Sequence, residues 1–563
     1  MTYIIVFLAV VIFILFIFFP YILGKACKKD RKDTKINLLQ EENIAESKGV
    51  QNVPIEAHYC FDNINIQWIK EFGRTDPYGA SLFLNPKVPL FFRIFIPLGI
   101  LLNIAIFASA NICVGSSVFI GFNVGREIKA PSLYDLGLVN SVHDMWVAGC
   151  YILSVLIAFF TGIWPYIKLI LMLISFFLPT SILSHKGREK FLLFLDATGK
   201  FSILDSYVIM MMLVSFYLSV EIPVTEQSEA EQGFIIDLYI YIAYGIVTII
   251  IGTLVSLCLS HIVTHLHRNL DEHPDQNKGE KAENYRSIMS FAKVNYIKDF
   301  HFRVFISSLL FLTLILVILG SIVKSFSFDL KGLAGYAINL LDYPTHKDIS
   351  AIDLGIDLRK SYKNPNASEA IFTQVIFFLT TIAIPLAFLL NLIILWFIPM
   401  TRKAQKFFYS IAEILNAWSC VDVLAMAIIS CVEQVTKFAI FMVGDKCDNI
   451  NPIIKRYFSK ILDGYDSCFE VKTSLKKGFW IYFCAAISFF ICSFVILKVC
   501  RYALNERLPD HVKEYLRNKN NNDEDRISKI SNINDFHSSV SRETLVSETL
   551  SVKKFWRKNK KIN

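Results

Sequence analysis

Residues 370–399 read AIFTQVIFFLTTIAIPLAFLLNLIILWFIP, thirty positions without an Asp, Glu, Lys or Arg. A helix rises about 1.5 Å per residue, so this stretch would extend about 45 Å, whereas the hydrocarbon core of a bilayer is about 30 Å thick. The stretch is long enough for one crossing and too short for two. Pro385 lies near its middle and donates no backbone N–H, which predicts a kink there. Residues 370–399 therefore predict one kinked transmembrane helix.

The composition of the whole chain has the same character. Of its 563 residues, 54% are hydrophobic and 19% are charged, and the mean hydropathy is +0.46. Average globular proteins hold about 45–50% apolar and about 25% charged residues. This excludes a soluble enzyme, a secreted disulfide scaffold and a disordered chain. The net charge of +8 is modest and gives no reason to expect a nucleic-acid partner. The chain is predicted to be a polytopic membrane protein.

Nine apolar blocks are predicted to cross the membrane once each. Lys and Arg concentrate in 24–88, 184–202, 261–303, 400–420 and 500–563. Because positive residues stay cytosolic, the N-terminus is predicted outside and the C-terminus in the cytosol. A cleaved signal peptide is the alternative for the first block, although no basic residue precedes that block. The blocks are Tyr3–Leu23, Pro89–Asn111, Trp146–Leu183, Ile203–Ile222, Phe234–Ser260, Val304–Val323, Ala370–Pro399, Val421–Val443 and Phe479–Val499.

Short stretches in the first part of the chain recur in the same order in the second. The pairs are Phe92–Ile96 with Phe302–Ile306, Tyr134–Leu138 with Ile352–Ile356, Phe201–Asp205 with Trp418–Asp422, and Gly233-Phe234 with Gly478-Phe479. Pro165 and Pro179 recur as Pro385 and Pro399, and these four prolines are predicted to kink their helices. Since each copy holds an even number of spans, both copies have the same orientation and form a parallel repeat.

The predicted fold class is therefore all-α: one N-terminal span plus two tandem parallel repeats of a four-helix transmembrane unit. The boundaries are 1–23 for the anchor span, 24–88 for a cytosolic segment and 89–260 for the first unit. A cytosolic linker at 261–302, the second unit at 303–499 and a disordered basic tail at 500–563 complete the chain.

Two Ser-x-x-Asp motifs mark the start of the third span of each unit. Ser202 with Asp205 and Ser419 with Asp422 match a capping box, in which the serine and the acid satisfy free backbone N–H groups. The acids also lie at the positive end of the helix dipole. In the functional alternative, each carboxylate contacts a lipid headgroup or carries a proton at the membrane edge.

Three further charges lie inside predicted spans, where charged side chains are costly and usually paired or pathway-lining. Glu433 and Lys437 are four residues apart, and they form either a self-neutralising pair or part of a polar path. Lys168 follows Pro165 by one turn and either anchors an anionic headgroup or snorkels to the membrane surface.

Two stretches of the second unit resemble a known family. Trp418-Ser419-Cys420-Val421-Asp422-Val423 is similar to the W-S-M-[LV]-[DE]-V signature of the paraquat-inducible protein A family. Pro385-Leu386, the apolar run to Pro399 and Thr401-Arg402 resemble that family's P-L-x-x-L-L…L-P-x-R helix. The resemblance covers about 89–260 and 303–499. It implies a lipid-handling membrane component that works with lipid-transport proteins of the MCE type.

The chain departs from the bacterial members of this family, which carry a zinc ribbon before each four-span unit. Residues 24–88 have only Cys27 and Cys60, and 261–303 have no cysteine. Four ligands are needed to close a structural zinc site, so docking of a partner in the bacterial manner is not expected. His261, His265 and His267 could bind a metal, but a solvated helix end is favoured. Neither a metal nor another cofactor is predicted.

Two modifications are predicted in the outer loops. A Cys447–Cys468 disulfide would close a loop of about 20 residues and stabilise the fold by roughly 3 kcal/mol; two free thiols are the alternative. Asn366 begins an Asn-Ala-Ser glycosylation sequon close to the next span. On the cytosolic side, the basic residues of Lys553–Lys561 surround Phe555 and Trp556. They suit an anionic leaflet, and a solvated tail is the alternative.

No P-loop, GxSxG or HExxH motif occurs in the chain, so we do not expect an enzyme or an ATPase. The leading hypothesis is a transport component for lipids or other hydrophobic molecules, with membrane lipids and a membrane-protein partner as its contacts. The alternative is a tetraspanin-like organiser without transport activity. A lipid-modifying enzyme is third, because Asp205 and Asp422 have no evident catalytic companion.

Overall fold

The computed structural model describes residues 81–508 except 86, 124–126, 130–133, 180–181, 223–233, 272–284, 293–298, 448–450 and 458–469. The predicted span Tyr3–Leu23, the segment 24–80 and the tail 509–563 with Lys553–Lys561 lie outside the described residues. Within them, 8 helices are long and apolar enough to cross a membrane. The chain is thus a mostly helical, multi-pass membrane protein. The spans are Leu90–Ile112, Tyr151–Phe177, Lys186–Phe216, Tyr244–Leu270, Phe300–Ile322, Ser368–Phe397, Arg402–Val432 and Lys477–Glu506.

The first half of the described chain, 90–271, contains seven α-helices and five strands. After α1 (Leu90–Ile112) come β1 (Val114–Asn123), β2 (Glu127–Lys129), β3 (Tyr134–Gly137) and α2 (Leu138–Val147). The next span joins α3 (Tyr151–Ile157), a π-helical segment (Ala158–Ile163) and α4 (Trp164–Phe177). It is followed by α5 (His185–Gly199), a 3₁₀ turn (Lys200–Ile203) and α6 (Leu204–Phe216). β4 (Leu218–Ile222), β5 (Phe234–Ile242) and α7 (Tyr244–Asp271) complete this half.

The second half, 299–506, follows a 3₁₀ turn at Ile288–Phe291. It starts with α8 (Asp299–Ile322), β6 (Phe326–Lys331), α9 (Gly332–Leu340), β7 (His346–Ile349) and α10 (Ala351–Lys360). Its next span joins α11 (Ser368–Phe378), a π-helical segment (Leu379–Ala383) and α12 (Ile384–Phe397). The last elements are α13 (Arg402–Trp418), α14 (Val421–Cys447), α15 (Asn451–Tyr457), β8 (Glu470–Leu475) and α16 (Lys477–Glu506).

Two small antiparallel sheets accompany the helices, and the sequence analysis did not predict them. In the first half β1 is central and pairs with β2, β3 and β5, while β4 extends the sheet beyond β5. In the second half β6 lies between β7 and β8. All these strands fall in predicted outer loops, apart from β4 and β5.

β4 and β5 correct two predicted spans. Residues 218–222 and 234–242 were assigned to membrane-crossing helices, but they form a strand pair in register from Leu218 opposite Leu238 to Ile222 opposite Phe234. Their sequences, LSVEI and FIIDLYIYI, are rich in β-branched and aromatic residues, which favour strands. The helices on either side shift accordingly, and α7 continues to Asp271, into the predicted cytosolic linker.

The predicted cytosolic loops at 184–202 and 400–420 are also helices. Ser184 and Thr401 cap them, and each side chain accepts a hydrogen bond from the backbone N–H three residues ahead, at Gly187 and Ala404. α5 continues through the 3₁₀ turn into α6, whereas α13 stops at Trp418 and α14 starts again at Val421. Lys and Arg in these stretches therefore lie on packed helices.

The centre of the molecule is α6, whose thirteen residues are all buried. A helix that is apolar on every side belongs in a protein interior. α6 packs against α14 of the other half, so the two halves meet along these helices. At the periphery α1 packs on α7 and α8 packs on α16. Leu98 of α1 and Phe490 of α16 are more than half exposed, as expected for lipid-facing helices.

The four prolines fall into two pairs. Pro165 and Pro385 each occupy the second position of a 14-residue helix that directly follows a π-helical segment. A proline donates no N–H, so the regular bonding pattern is interrupted just before it. Pro179 and Pro399, predicted to kink helices, instead follow helix ends. The residues before them, Leu178 and Ile398, are extended because proline disfavours a preceding helical residue.

Two of the paired sequence stretches do not occupy matching structural positions. Tyr134–Gly137 is strand β3, whereas Ile352–Ile356 lies inside helix α10. Phe234 starts strand β5, whereas Gly478 and Phe479 lie in helix α16. Gly478 corresponds in position to Gly245 instead. A Cβ on Gly478 would overlap backbone oxygens at the end of α8, and one on Gly245 would approach the Ala110 oxygen in α1 to 3.1 Å.

Candidate functional site

A partly buried ion pair joins the two halves. Lys200, in the 3₁₀ turn between α5 and α6, places its Nζ 2.8 Å from Oδ2 of Asp422 in the first turn of α14. The same ammonium donates a hydrogen bond of 3.1 Å to the Ser419 carbonyl oxygen. The Lys200 side chain is 9% exposed and that of Asp422 is 31% exposed.

The local backbone explains why these groups meet. The last carbonyls of a helix lack intrahelical partners, and the break between Trp418 and Val421 leaves the Ser419 carbonyl available for Lys200. Asp422 Oδ1 accepts the N–H of Val423 at 3.1 Å, while its other oxygen faces Lys200. One lysine therefore satisfies a helix end and a carboxylate of the opposite half.

Neither predicted capping serine acts as a cap. The residue before α6 is Ile203, with no side-chain hydrogen bond, because α5 and the 3₁₀ turn already continue into α6. Ser202 belongs to that turn. The Ser419 Oγ is buried and has no hydrogen-bond partner among the described residues. A capping box does occur at Ser350 and Asp353, at the start of α10.

Asp205 differs from Asp422 although both start the third span of a half. It is 6% exposed and has no hydrogen bond or ion pair within the described part of the chain. A carboxylate that is buried without a partner is strongly disfavoured. In this conformation Asp205 is covered by protein, and Asp422 already forms an ion pair with Lys200.

Tyr207 forms a second polar contact between the halves. Its hydroxyl lies 2.7 Å from Oγ1 of Thr380 and 3.1 Å from Oγ1 of Thr381, both in the second π-helical segment. Segments of this kind occur often at functional sites, because they leave backbone groups outside the regular pattern. Thr161 of the first π-helical segment is buried, and its hydroxyl has no partner among the described residues.

Lys168 does not snorkel to the surface. It is 1% exposed, and its Nζ has no hydrogen-bond partner in the described residues. Near it on α5, Asp196 accepts a 3.1 Å contact from Nδ1 of His261 on α7. The predicted solvated end at the three histidines is wrong, since all three lie within α7 and His267 is 1% exposed. Among the described residues, no three His, Cys, Asp or Glu converge on a metal position.

The predicted Glu433–Lys437 pair stays a prediction, because the Glu433 side chain lies outside the described part. Lys437 is exposed and donates to the Gly149 carbonyl oxygen of the first half at 3.3 Å. The Cys447 side chain and Cys468 also lie outside the described part, so their disulfide is a prediction still. Asn366 is exposed, and its side-chain oxygen accepts from Arg359 at 2.7 Å.

The sequence analysis missed a charged network that also joins the halves. Arg268 of α7 contacts Glu189 of α5 at 3.0 Å and forms an ion pair with Glu413 of α13. Arg501 of α16 reaches the same Glu413 at 3.4 Å and donates to the Tyr409 hydroxyl at 3.1 Å. Glu413 thus receives a cation from each half. Lys200 and these residues were missed because they lie in stretches predicted as cytosolic, where charges are ordinary.

Comparison of the chain with protein-family models, curated proteins and solved structures finds no match.

Proposed function

We propose that this membrane protein is a transport component that moves lipids or other hydrophobic molecules, and that it has no ATPase of its own. The observation that carries the proposal is the Lys200–Asp422 ion pair, which joins the two halves of the bundle. Ionisable groups within membrane-spanning helices usually line pathways or take part in switching.

The cost of such a pair argues against a purely structural role. Replacing a buried ion pair by well-packed apolar residues is often neutral or stabilising. A protein that only holds other proteins together would gain nothing from a lysine and an aspartate in this position. Their presence is better explained by a contact between the halves that breaks and reforms as a hydrophobic substrate passes.

We also propose that the halves are tandem copies of one four-span unit. Support comes from the two 14-residue helices that follow π-helical segments, with Pro165 and Pro385 as their second residues. The N-caps Ser184 and Thr401 give further support. Counting from these caps, Asp205 corresponds to Asp422, and Lys200 corresponds to Ala417. The second unit therefore has no lysine that matches Lys200, and the two units contribute different side chains to their interface. Such asymmetry is expected if one half moves against the other.

The resemblance to the paraquat-inducible protein A family is part of this proposal. Its signature residues Trp418 to Val423 span the helix break at which Ser419 and Asp422 meet Lys200. Membrane lipids are the proposed contacts, together with a membrane-protein partner. We further propose an extracytosolic N-terminus, a cytosolic C-terminus, a basic tail on an anionic leaflet and no enzymatic activity.

The test is lipid movement in vesicles containing the purified full chain, compared with the double variant Lys200→Met with Asp422→Leu. An apolar pair of similar size should keep the fold, which thermal unfolding in detergent verifies. We expect wild-type protein to move a fluorescent phospholipid between leaflets and the folded double variant to lose most of that activity. Lys360→Met, which removes an exposed lysine outside the spans, is the control. Equal rates for the double variant and wild type would contradict the role of the ion pair, and no lipid movement by wild-type protein would favour the tetraspanin-like organiser.

A further inference from the structure

A second group of titratable side chains is buried in the first half, apart from the ion pair between the halves. It consists of Lys168 on α4, Asp196 on α5 and His261 on α7. Lys168 is 1% exposed and Asp196 is 4% exposed. Nδ1 of His261 lies 3.1 Å from Oδ2 of Asp196. The Nζ of Lys168 lies against Gly199, one turn after Asp196 on α5. Three helices of one half therefore bring three ionisable groups together in the protein interior.

The position of the Lys168 ammonium group depends on a glycine. A Cβ on Gly199 would overlap the Lys168 Nζ and would lie 3.0 Å from its Cε. The ammonium thus rests against the end of α5, where only glycine leaves room for it. Within the described residues, neither this Nζ nor Oδ1 of Asp196 has a hydrogen-bond partner. These two strongly polar atoms therefore have unused capacity for hydrogen bonds. Because both side chains are almost fully buried, the only ligand that fits beside them is a very small one.

The same helices carry further titratable groups. Arg188 on α5 is buried and donates to the Leu178 carbonyl oxygen, and His265 and His267 lie on α7 with His261. Cys258 also lies on α7, three residues before His261. On α1 the only titratable side chain is Arg93, which donates to the carbonyls of Val88 and Asn85. On α13, Glu413 forms an ion pair with Arg268. In the 3₁₀ turn between α5 and α6, Lys200 forms an ion pair with Asp422.

The fold itself does not require these three groups. At the same positions relative to Pro385, Thr401 and Gly478, the second half has Phe388, Glu413 and Phe494. Phe388 is fully buried, so an apolar side chain packs well where the first half has Lys168. The second half thus keeps an acid, Glu413, which pairs with Arg268 and Arg501. The combination of this acid with a lysine and a histidine is particular to the first half, which points to a task other than holding four helices together.

We propose that Lys168, Asp196 and His261 form an intramembrane proton-binding site that couples proton uptake to lipid movement. The coupling rests on the proposed function; proton binding does not. With Asp196 ionised, Lys168 charged and His261 neutral, the three groups carry no net charge. Uptake of one proton by the imidazole leaves one positive charge in a medium of low dielectric constant. That charge favours the approach of an anionic headgroup, so proton uptake and headgroup arrival support each other.

Proton binding is tested by infrared difference spectra of the full chain between about pH 5 and 8, where histidines change charge. We expect imidazole bands that disappear in His261→Gln and shift in Asp196→Asn and in Lys168→Met. Asp205→Asn identifies any signal from the other buried carboxyl group. Spectra of the wild type and His261→Gln that are identical would overturn the proton site.

Coupling is tested in vesicles of phosphatidylcholine and phosphatidylserine that contain a fluorescent phospholipid and a pH indicator in the lumen. We expect a proton gradient to accelerate lipid movement by wild-type protein, with a matching change of luminal pH. Lys168→Met and Asp196→Asn should fold and should lose this response. Wild-type rates that are equal with and without the gradient would overturn the coupling. If wild type moves no lipid under any condition, the proposed function fails, while the infrared spectra still decide whether a proton is bound.

Gly199→Ala provides a variant that keeps all three ionisable groups. Its methyl group must displace the end of a flexible lysine rather than backbone, so the fold should survive. We expect it to lose the gradient response as Lys168→Met does. Gly137→Ala, whose methyl group meets nothing within 4 Å, is the control and should behave as wild type. A normal response of Gly199→Ala to the proton gradient would contradict the proposed role of the Lys168 ammonium group.

Discussion

Lys200 and Asp422 lie in different halves of the protein, and their Nζ and Oδ2 atoms are 2.8 Å apart. Because Ser419 also accepts from this lysine at 3.1 Å, Lys200 touches both ends of the break between α13 and α14. Movement of one half against the other must therefore exchange these contacts.

We predict that Lys200→Ala destabilises the protein, because Asp422 and the Ser419 carbonyl lose their partner together. Breaking a fully buried pair costs about 3–5 kcal/mol, and the partial exposure of Asp422 lowers our expectation to about 1–3 kcal/mol. Thermal unfolding in detergent measures this, with Lys360→Met as the control. An unchanged midpoint would show that the pair contributes no stability.

Tyr207→Phe is expected to cost about 0.5–1.5 kcal/mol, because the contact of its hydroxyl with Thr380 and Thr381 is lost. Tyr482→Phe is the matched comparison. The Tyr482 hydroxyl is buried and has no partner among the described residues, so its removal should be neutral or stabilising. Chemical or thermal unfolding of the two variants should give effects in this order, and the reverse order would contradict the contact between the halves.

Ser350→Ala is expected to lower stability by about 1 kcal/mol, since Ser350 and Asp353 satisfy each other's backbone N–H groups at the start of α10. Ser202→Ala should have little effect, because Ser202 caps no helix. The same unfolding measurement compares them. A larger loss for Ser202→Ala would restore the capping interpretation that the sequence suggested.

Gly478→Ala should be strongly destabilising, because its methyl group would overlap the backbone oxygens of Lys324 and Val323, which cannot move aside as a side chain can. Overpacking of this kind costs about 1–3 kcal/mol or more. Gly137→Ala meets nothing within 4 Å and serves as the control. Expression level and the unfolding midpoint report the difference. Equal behaviour of the two variants would mean that α8 and α16 can separate at this point without cost.

The sheet of the second half should be sensitive to pH. His346 pairs with Asp329 across β6 and β7 and lies 3.2 Å from Asp348. Its hydrogen bond to Asp329 raises the pKa of His346 above the ordinary value. The resulting stabilisation is fully present below the pKa of an unfolded histidine, about 6.5, and is lost as the pH rises through the higher folded value. Unfolding midpoints should therefore fall with rising pH more steeply in wild type than in His346→Gln. Parallel pH profiles would contradict this.

Local properties of the chain were predictable. Hydropathy over about 20 residues depends on no distant contact, so blocks such as 370–399 identified membrane-crossing helices directly. The crossing at Trp146–Leu183 could be predicted as one helix from its likeness to 370–399, and the structure has a single helical run at Tyr151–Phe177. The ends of the spans were less predictable. β4 and β5 adjoin apolar helices, so hydropathy merged them with those helices although their β-branched and aromatic residues favour strands.

By itself, the sequence determined that this is a multi-pass membrane protein and where most of its apolar helices lie. The tertiary structure alone decided which charges meet. Lys200 and Asp196 stand in a stretch that resembles a cytosolic loop, and their partners Asp422 and His261 lie far along the chain. Whether a charge is solvated, paired or left alone depends on the helices packed around it. Such packing brings together residues with no sequence relationship, so Asp205 and Asp422 share one motif and have different surroundings.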